Sequence, residues 1–150
     1  MKLAWKVACL ILASATPALG AEDFTFTATG HDGASAWVKI DGQNIGATTS
    51  TVSSVGVGPD GATQTSNGVC QSWTPDPMGP YSFETVCNYK NDLGTYATIS
   101  WCPKDTHKGC SGKLVGVDGA YANKAGTFSV LTKPGADDAT DTYSGSGHWN

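Results

Sequence analysis

The stretch Tyr81-Ser82-Phe83-Glu84-Thr85-Val86-Cys87-Asn88-Tyr89 alternates ring, hydroxyl and sulfur side chains on one side with Ser82, Glu84, Val86 and Asn88 on the other. A period of two places successive side chains on opposite faces of a strand, so Tyr81, Phe83, Thr85, Cys87 and Tyr89 share a face. Asn91-Asp92-Leu93-Gly94 follows as a turn, because Asn and Asp tolerate left-handed backbone and Gly adopts it freely. Residues 95–101 then supply a second β-prone run ending at Trp101. Strand, tight turn, strand is the unit of an antiparallel all-β fold.

The same pattern extends in both directions. Phe24, Phe26 and Ala28 fall on one face of a first strand, with Thr25, Thr27 and Thr29 on the other. Ala36, Val38 and Ile40 form the next apolar face, ended by the turn Asp41-Gly42. Residues 46–61 read as one strand and a turn, with residues 48–54 β-prone and Gly56, Gly58, Pro59 and Gly61 breaking the run. Further short strands are expected at about residues 113–117, 126–131 and 142–149. No amphipathic helical window occurs after residue 20, and residues 21–150 hold 17 threonines and 12 serines. About eight strands separated by turn signals describe one all-β domain over residues 21–150, either an antiparallel β-barrel or a β-sandwich. Closure into a barrel removes the strand edges that invite aggregation.

Residues 1–20 read as a secretory signal peptide: Lys2 and Lys6 precede an apolar stretch, and Ala18 and Gly20 sit at the -3 and -1 positions of a cleavage site. Cys9 lies inside that stretch rather than after it, which argues against a lipid-attached cysteine. Residues 21–150 carry 7 lysines, no arginine and 13 acidic residues, a net charge of -6. Without arginine forks or a basic run, nucleic acid is excluded as a partner. No second apolar stretch approaches the ~18 residues that span a bilayer. The expected location is secreted or periplasmic, and the oligomeric state is left open.

Four cysteines remain after residue 20, and an even count in an exported chain favours two disulfides. Four cysteines allow three connectivities, of which sequential pairing is preferred. Cys102 and Cys110 bracket a polar hairpin tip, and Cys70 and Cys87 flank a connection containing Pro75, Pro77 and Pro80. The cysteines lack the close C-x-x-C pairs of a zinc site, so no metal is expected.

From Gly112 the chain reads Gly112-Lys113-Leu114-Val115-Gly116-Val117-Asp118-Gly119-Ala120-Tyr121-Ala122-Asn123-Lys124-Ala125-Gly126-Thr127-Phe128. This resembles the strand-turn-strand segment of bacterial secreted proteins similar to the allene oxide cyclase barrel, and Gly145-Ser146-Gly147-His148-Trp149 looks like their closing strand. The resemblance implies an antiparallel barrel of about eight strands with an apolar or side-chain-filled interior. It transfers no activity, because the cyclase's polar constellation does not map onto these residues one by one. The residues stand by themselves: glycines 112, 116, 119 and 126 permit bends or close strand approach, Gly119 is expected at positive φ, and Leu114, Tyr121 and Phe128 supply interior bulk. Gly116-Val117-Asp118-Gly119 lacks the following helix of a phosphate cradle, and no cofactor is expected.

The titratable groups are read mostly as solvated. His31 falls in the turn Gly30-His31-Asp32-Gly33, His107 at a hairpin tip, and His148 next to Trp149, where one of the two points inward. Glu84 is read as outward. Asp137, Asp138 and Asp141 lie in an acidic loop without calcium-ligand order. No serine sits in a G-x-S-x-G context, so no catalytic residue is assigned. Candidate ligand-binding residues are the rings Trp73, Tyr89, Trp101, Tyr121 and Phe128. Trp37 is a further ring for which core packing is the expectation, and Lys124 is expected to be exposed. Trp73 is singled out because it lies beside Pro75 and Pro77, in a connection rather than a strand. The leading expectation is an exported, non-enzymatic β-barrel protein that binds a small apolar or amphiphilic molecule. The alternatives are a cyclase-like or isomerase-like enzyme of the allene oxide cyclase type and a cell-surface interaction module.

Overall fold

The computed structural model describes residues 22–40, 42–75, 79–105, 109–134 and 140–150. Residues 1–20, Asp41, Pro77, His107, Asp137 and Asp138 lie outside the described residues. Eight strands follow in chain order: β1 Glu22–Ile40, β2 Gln43–Val57, β3 Thr63–Trp73, β4 Tyr81–Asn91, β5 Gly94–Pro103, β6 Cys110–Gly116, β7 Ala125–Pro134 and β8 Thr140–Trp149. Each pairs antiparallel with the next, and β8 returns to β1 from Glu22↔Trp149 to His31↔Thr140, closing the barrel. Of the two architectures that alternation allowed, the chain adopts the barrel.

Alternation works as expected along most of the wall. Phe24, Phe26 and Ala28 turn inward while Asp23, Thr25 and Thr27 are exposed. A barrel of eight strands encloses barely enough room for side chains. This chain supplies the room by setting a glycine beside several of its large inward groups on the neighbouring strand. Tyr89 pairs with Gly68, Phe128 with Gly112, Leu114 with Gly126, Phe26 with Gly145 and Phe24 with Gly147. A methyl at Gly68 would meet the Tyr89 ring at 2.6 Å, and one at Gly145 the Phe26 ring at 2.7 Å. The inward glycines are therefore the complements of the rings, a packing role beyond the bends read from the sequence.

Part of the barrel interior is filled. Ala28, Val52, Cys70 and Cys87 form the buried core, with Tyr89 and Tyr143 packed on it. Cys70 and Cys87 face each other across β3 and β4 and are disulfide-bonded, and Cys102–Cys110 joins β5 to β6. Both bridges follow the sequential pairing. Two intramolecular disulfides are the pattern of proteins that fold in an oxidising compartment.

Four local expectations are corrected. His31 lies within β1, paired with Thr51 and Thr140, because β1 runs on through Gly30 rather than turning there. Ala36, Val38 and Ile40 are not a separate core-facing strand. They continue β1 past a bulge between Asp32 and Ser35 into a two-stranded ribbon beyond the barrel, where Val38 and Ile40 are more than half exposed. Tyr81 leaves the face of Cys87 and Tyr89 because a bulge between Tyr81 and Phe83 shifts the register. Trp73 is the last residue of β3, paired with Ala47 and Glu84, since the ladder persists to the first residue of the proline-containing connection.

The ribbon is tied back to that connection. Thr74 N–H donates to Gly46 O at 3.0 Å, and Gly46 N–H donates to Thr74 Oγ1 at 2.9 Å. Trp37, expected in the core, is instead exposed on this ribbon, where it meets Phe83 edge-on at 6.2 Å, because β1 carries it past the barrel.

Candidate functional site

At the end of the barrel that carries the β2–β3 and β4–β5 turns, the interior opens into a cavity of about 390 Å³. β1 and β7 contribute Phe24, Phe26 and Phe128, and β4 and β5 contribute Tyr89 and Tyr96. β1 and β5 lie four strands apart in the eight-stranded ring, so the two groups face each other across the cavity. Trp149 and Tyr121 close its rim, and Ala28 lies at its floor. Ser54, Ser66 and Thr98 add hydroxyls from β2, β3 and β5.

The ring geometry is close-packed along one side. Tyr89 and Tyr96 stack with centroids 5.2 Å apart and planes 14° from parallel. Tyr96 meets Tyr121 at 5.0 Å and Trp149 at 5.7 Å, the latter edge-on. On the opposite side Phe26 meets Phe128 edge-on at 6.3 Å. Offset and edge contacts of this kind stabilise aromatic clusters by ~1 kcal/mol per pair beyond area burial.

Tyr121 is placed by the connection between β6 and β7. A 3-10 turn at Gly119–Tyr121 folds over the barrel end, where Ala120 N–H donates to Leu93 O at 2.7 Å and Thr95 N–H donates to Asp118 Oδ1 at 2.6 Å. Gly119 has φ +59°, as expected, and it packs against the β4–β5 turn so closely that a β-carbon would run into Leu93 O. Asn91 holds the assembly from below. Its Oδ1 accepts from Leu93 N–H at 2.9 Å, and its Nδ2 donates to Ser66 Oγ at 2.9 Å and to Tyr121 Oη at 2.8 Å.

Burial sets the electrostatics. It raises the Tyr89 phenol far above its ordinary value, reinforced by the neighbouring Tyr96 and Tyr143. Burial likewise raises Tyr96, against hydrogen bonds from Ser66 and Ser54, and raises Tyr121, against the Asn91 hydrogen bond. The phenols are thus neutral donors at physiological pH. Charged side chains lining the cavity, Glu22, Asp23, Asp60 and Lys124, all belong to the rim. Lys124, expected to be exposed, is half-buried there, because its backbone closes the connection through bonds to Gly116 N–H and Tyr121 O.

Of the five rings named from sequence, Tyr89, Tyr121 and Phe128 come together in the cavity. Trp73 and Trp101 do not: both lie in one cross-strand row with Glu84 between them, on the outer face of the wall. Trp101 there borders a shallow, open depression floored by Ser111, Ser129 and Ser146. His148 is outward and bonded to Asp23 at 2.8 Å, while Trp149 points in. Phe24, Phe26, Tyr96, Leu114 and Trp149 were not named as site residues. For Tyr96 a signal existed: Tyr89 and Tyr96 are equidistant from the two-residue turn Asp92-Leu93, which sets them opposite each other.

Among the described residues no group of three His, Cys, Asp or Glu could hold a metal ion, and no helix is long and apolar enough to cross a membrane. The fold and site define a closed up-and-down β-barrel with an aromatic cavity open at one end. Compared with known proteins, the chain matches no family model and no curated protein.

Proposed function

We propose that this is an exported binding protein that takes a small apolar or amphiphilic molecule into the open half of its barrel. The supporting observation is the cavity: about 390 Å³, walled by Phe24, Phe26, Phe128, Tyr89 and Tyr96, above a filled core. Concave, mostly aromatic sites with a few placed polar groups are the usual form of small-ligand pockets. The cyclase-like alternative needs an acid–base pair at the reacting atoms. In this cavity the carboxylates stand at the rim and the deeper polar groups are hydroxyls, an arrangement that favours binding over proton transfer.

The test is a titration with the neutral dye N-phenyl-1-naphthylamine, read by its fluorescence gain. A one-to-one complex with Kd on the order of micromolar is expected. Gly56 faces the cavity, and a β-carbon there finds only Gln64 O at 3.8 Å and Thr25 O at 4.0 Å. Gly56→Leu should therefore fill the cavity, keep the fold and abolish the signal. Equal dye binding by Gly56→Leu would place the site elsewhere and reject this function.

A further inference from the structure

The polar groups of the cavity are not equally satisfied. Asn91 commits its amide to Ser66 and Tyr121 and its carbonyl to the β4–β5 turn. The Tyr96 phenol has the Ser66 and Ser54 hydroxyls as polar neighbours. Tyr89 differs: its hydroxyl has Cys70 Sγ at 4.0 Å as its partner. That sulfur belongs to the Cys70–Cys87 disulfide and carries no proton, so Tyr89 must be the donor, and it donates to a weak acceptor at the limit of contact. This hydroxyl is also among the deepest polar groups of the cavity, above Ala28 and the core, with the Thr98 hydroxyl lining the same space from β5.

From this arrangement we infer that Tyr89 is the polar anchor of the site, and that the ligand is a flat, uncharged aromatic molecule whose inner end carries a hydrogen-bond acceptor such as a ketone or amide carbonyl. The inference rests on the binding function proposed above and adds the chemistry of the occupant. A carbonyl oxygen is a far better acceptor than a disulfide sulfur, so the ligand gains a bond while Tyr89 gives up little. A flat aromatic suits the ring-lined walls, where Phe24 and Phe26, tilted to each other by 41°, lie across from the stacked Tyr89–Tyr96 pair. Neutrality follows from the charges: below the rim the described lining carries none, and an ion buried there would have no counter-charge. The Tyr89 ring packs directly over Gly68, where a β-carbon would come within 2.6 Å of it.

The experiment compares two probes of nearly equal shape, 2-acetylnaphthalene and 2-isopropenylnaphthalene, by calorimetric titration against the wild-type protein, Tyr89→Phe and Thr98→Val. Wild type should bind the ketone about tenfold more tightly than the hydrocarbon, the worth of one neutral hydrogen bond. Tyr89→Phe keeps the ring and its stack and should bring the ratio to about one, with the hydrocarbon's Kd unchanged. Thr98→Val should reduce the ratio less. A ratio near one in wild type, or one that survives Tyr89→Phe, overturns the anchor while leaving the cavity as a binding site. If wild type binds neither probe and also fails to bind N-phenyl-1-naphthylamine, the binding function falls, and the anchor falls with it.

Discussion

Gly119→Ala tests how the barrel end is built. Gly119 sits at φ +59°, where an L side chain costs about 1 kcal/mol or somewhat more. Its β-carbon would also run into Leu93 O and come within 2.8 Å of Gly94 Cα, so the connection must lift off the β4–β5 turn. Lifting stretches the 2.7 Å bond from Ala120 N–H to Leu93 O, a further ~1 kcal/mol. Together the loss should reach about 2 to 3 kcal/mol. Gly61 is the matched control: it has φ +80° in the β2–β3 turn, and nothing lies within 4 Å of its added methyl. Gly61→Ala should cost only the backbone term, about 1 kcal/mol. At roughly 3 to 4 °C per kcal/mol for a domain of this size, the two variants should melt about 3 to 8 °C apart in a thermal scan followed by circular dichroism. Equal melting points would show that close packing of the connection on Leu93 and Gly94 contributes nothing, and the account of how Tyr121 is held would be wrong.

Three further outcomes are expected. Peptide mapping without reductant should return Cys70 joined to Cys87 and Cys102 to Cys110, and the Cys102→Ala/Cys110→Ala double variant should lose roughly 2 to 3 kcal/mol in urea denaturation, the loop-closure value for a short loop. Stability should fall as pH rises above about 10, because buried phenols raised by desolvation stay protonated in the fold while unfolded tyrosines ionise. With the Tyr143 phenol pushed up to about 12, phenolate absorbance should develop together with unfolding, and full ionisation of a still-folded protein near pH 11 would contradict the burial. Burial and the nearby Asp32 hold the Asp141 carboxyl above its ordinary value, so this group's contribution declines as pH rises through the carboxylate range. Asp141→Asn should raise the melting temperature at pH 7 and lose that gain at pH 3, where the wild-type carboxyl is protonated.

Alternation made the strands legible but not their closure. Phe24, Phe26 and Ala28 could be placed on one face because a strand writes its two faces into its own sequence. That β1 meets β8 depends on Phe24 finding Gly147 and Phe26 finding Gly145, pairings between opposite ends of the chain that no local pattern encodes. Bulges caused the local misreadings: an extra residue after Asp32 carries β1 into an exposed ribbon, and another near Tyr81 moves that ring off its expected face. Tyr89 and Phe128 reach the cavity because large rings on inward registers have few other places to go, while Tyr121 reaches it from the Gly119–Tyr121 turn. Trp73 and Trp101 are equally large, yet their register turns them outward, and exposure of a ring is set by parity rather than by size. Disulfide pairing was legible because both bridges close hairpins.

The pairing of rings with glycines has a consequence for how this sequence can change over time. Each pair occupies a fixed allotment of interior space, shared between two strands. Enlarging Gly68 while Tyr89 keeps its ring overfills the allotment, and shrinking Tyr89 alone leaves it hollow, so either step alone is costly. A ring that moves to the neighbouring strand as its glycine moves the other way restores the volume, and the wall around it need not shift. Drift along this barrel therefore proceeds by linked exchanges between adjacent strands. Such exchanges scramble the residue types in each strand while the enclosed shape persists, so descendants of one barrel can lose recognisable kinship in sequence long before they lose it in form.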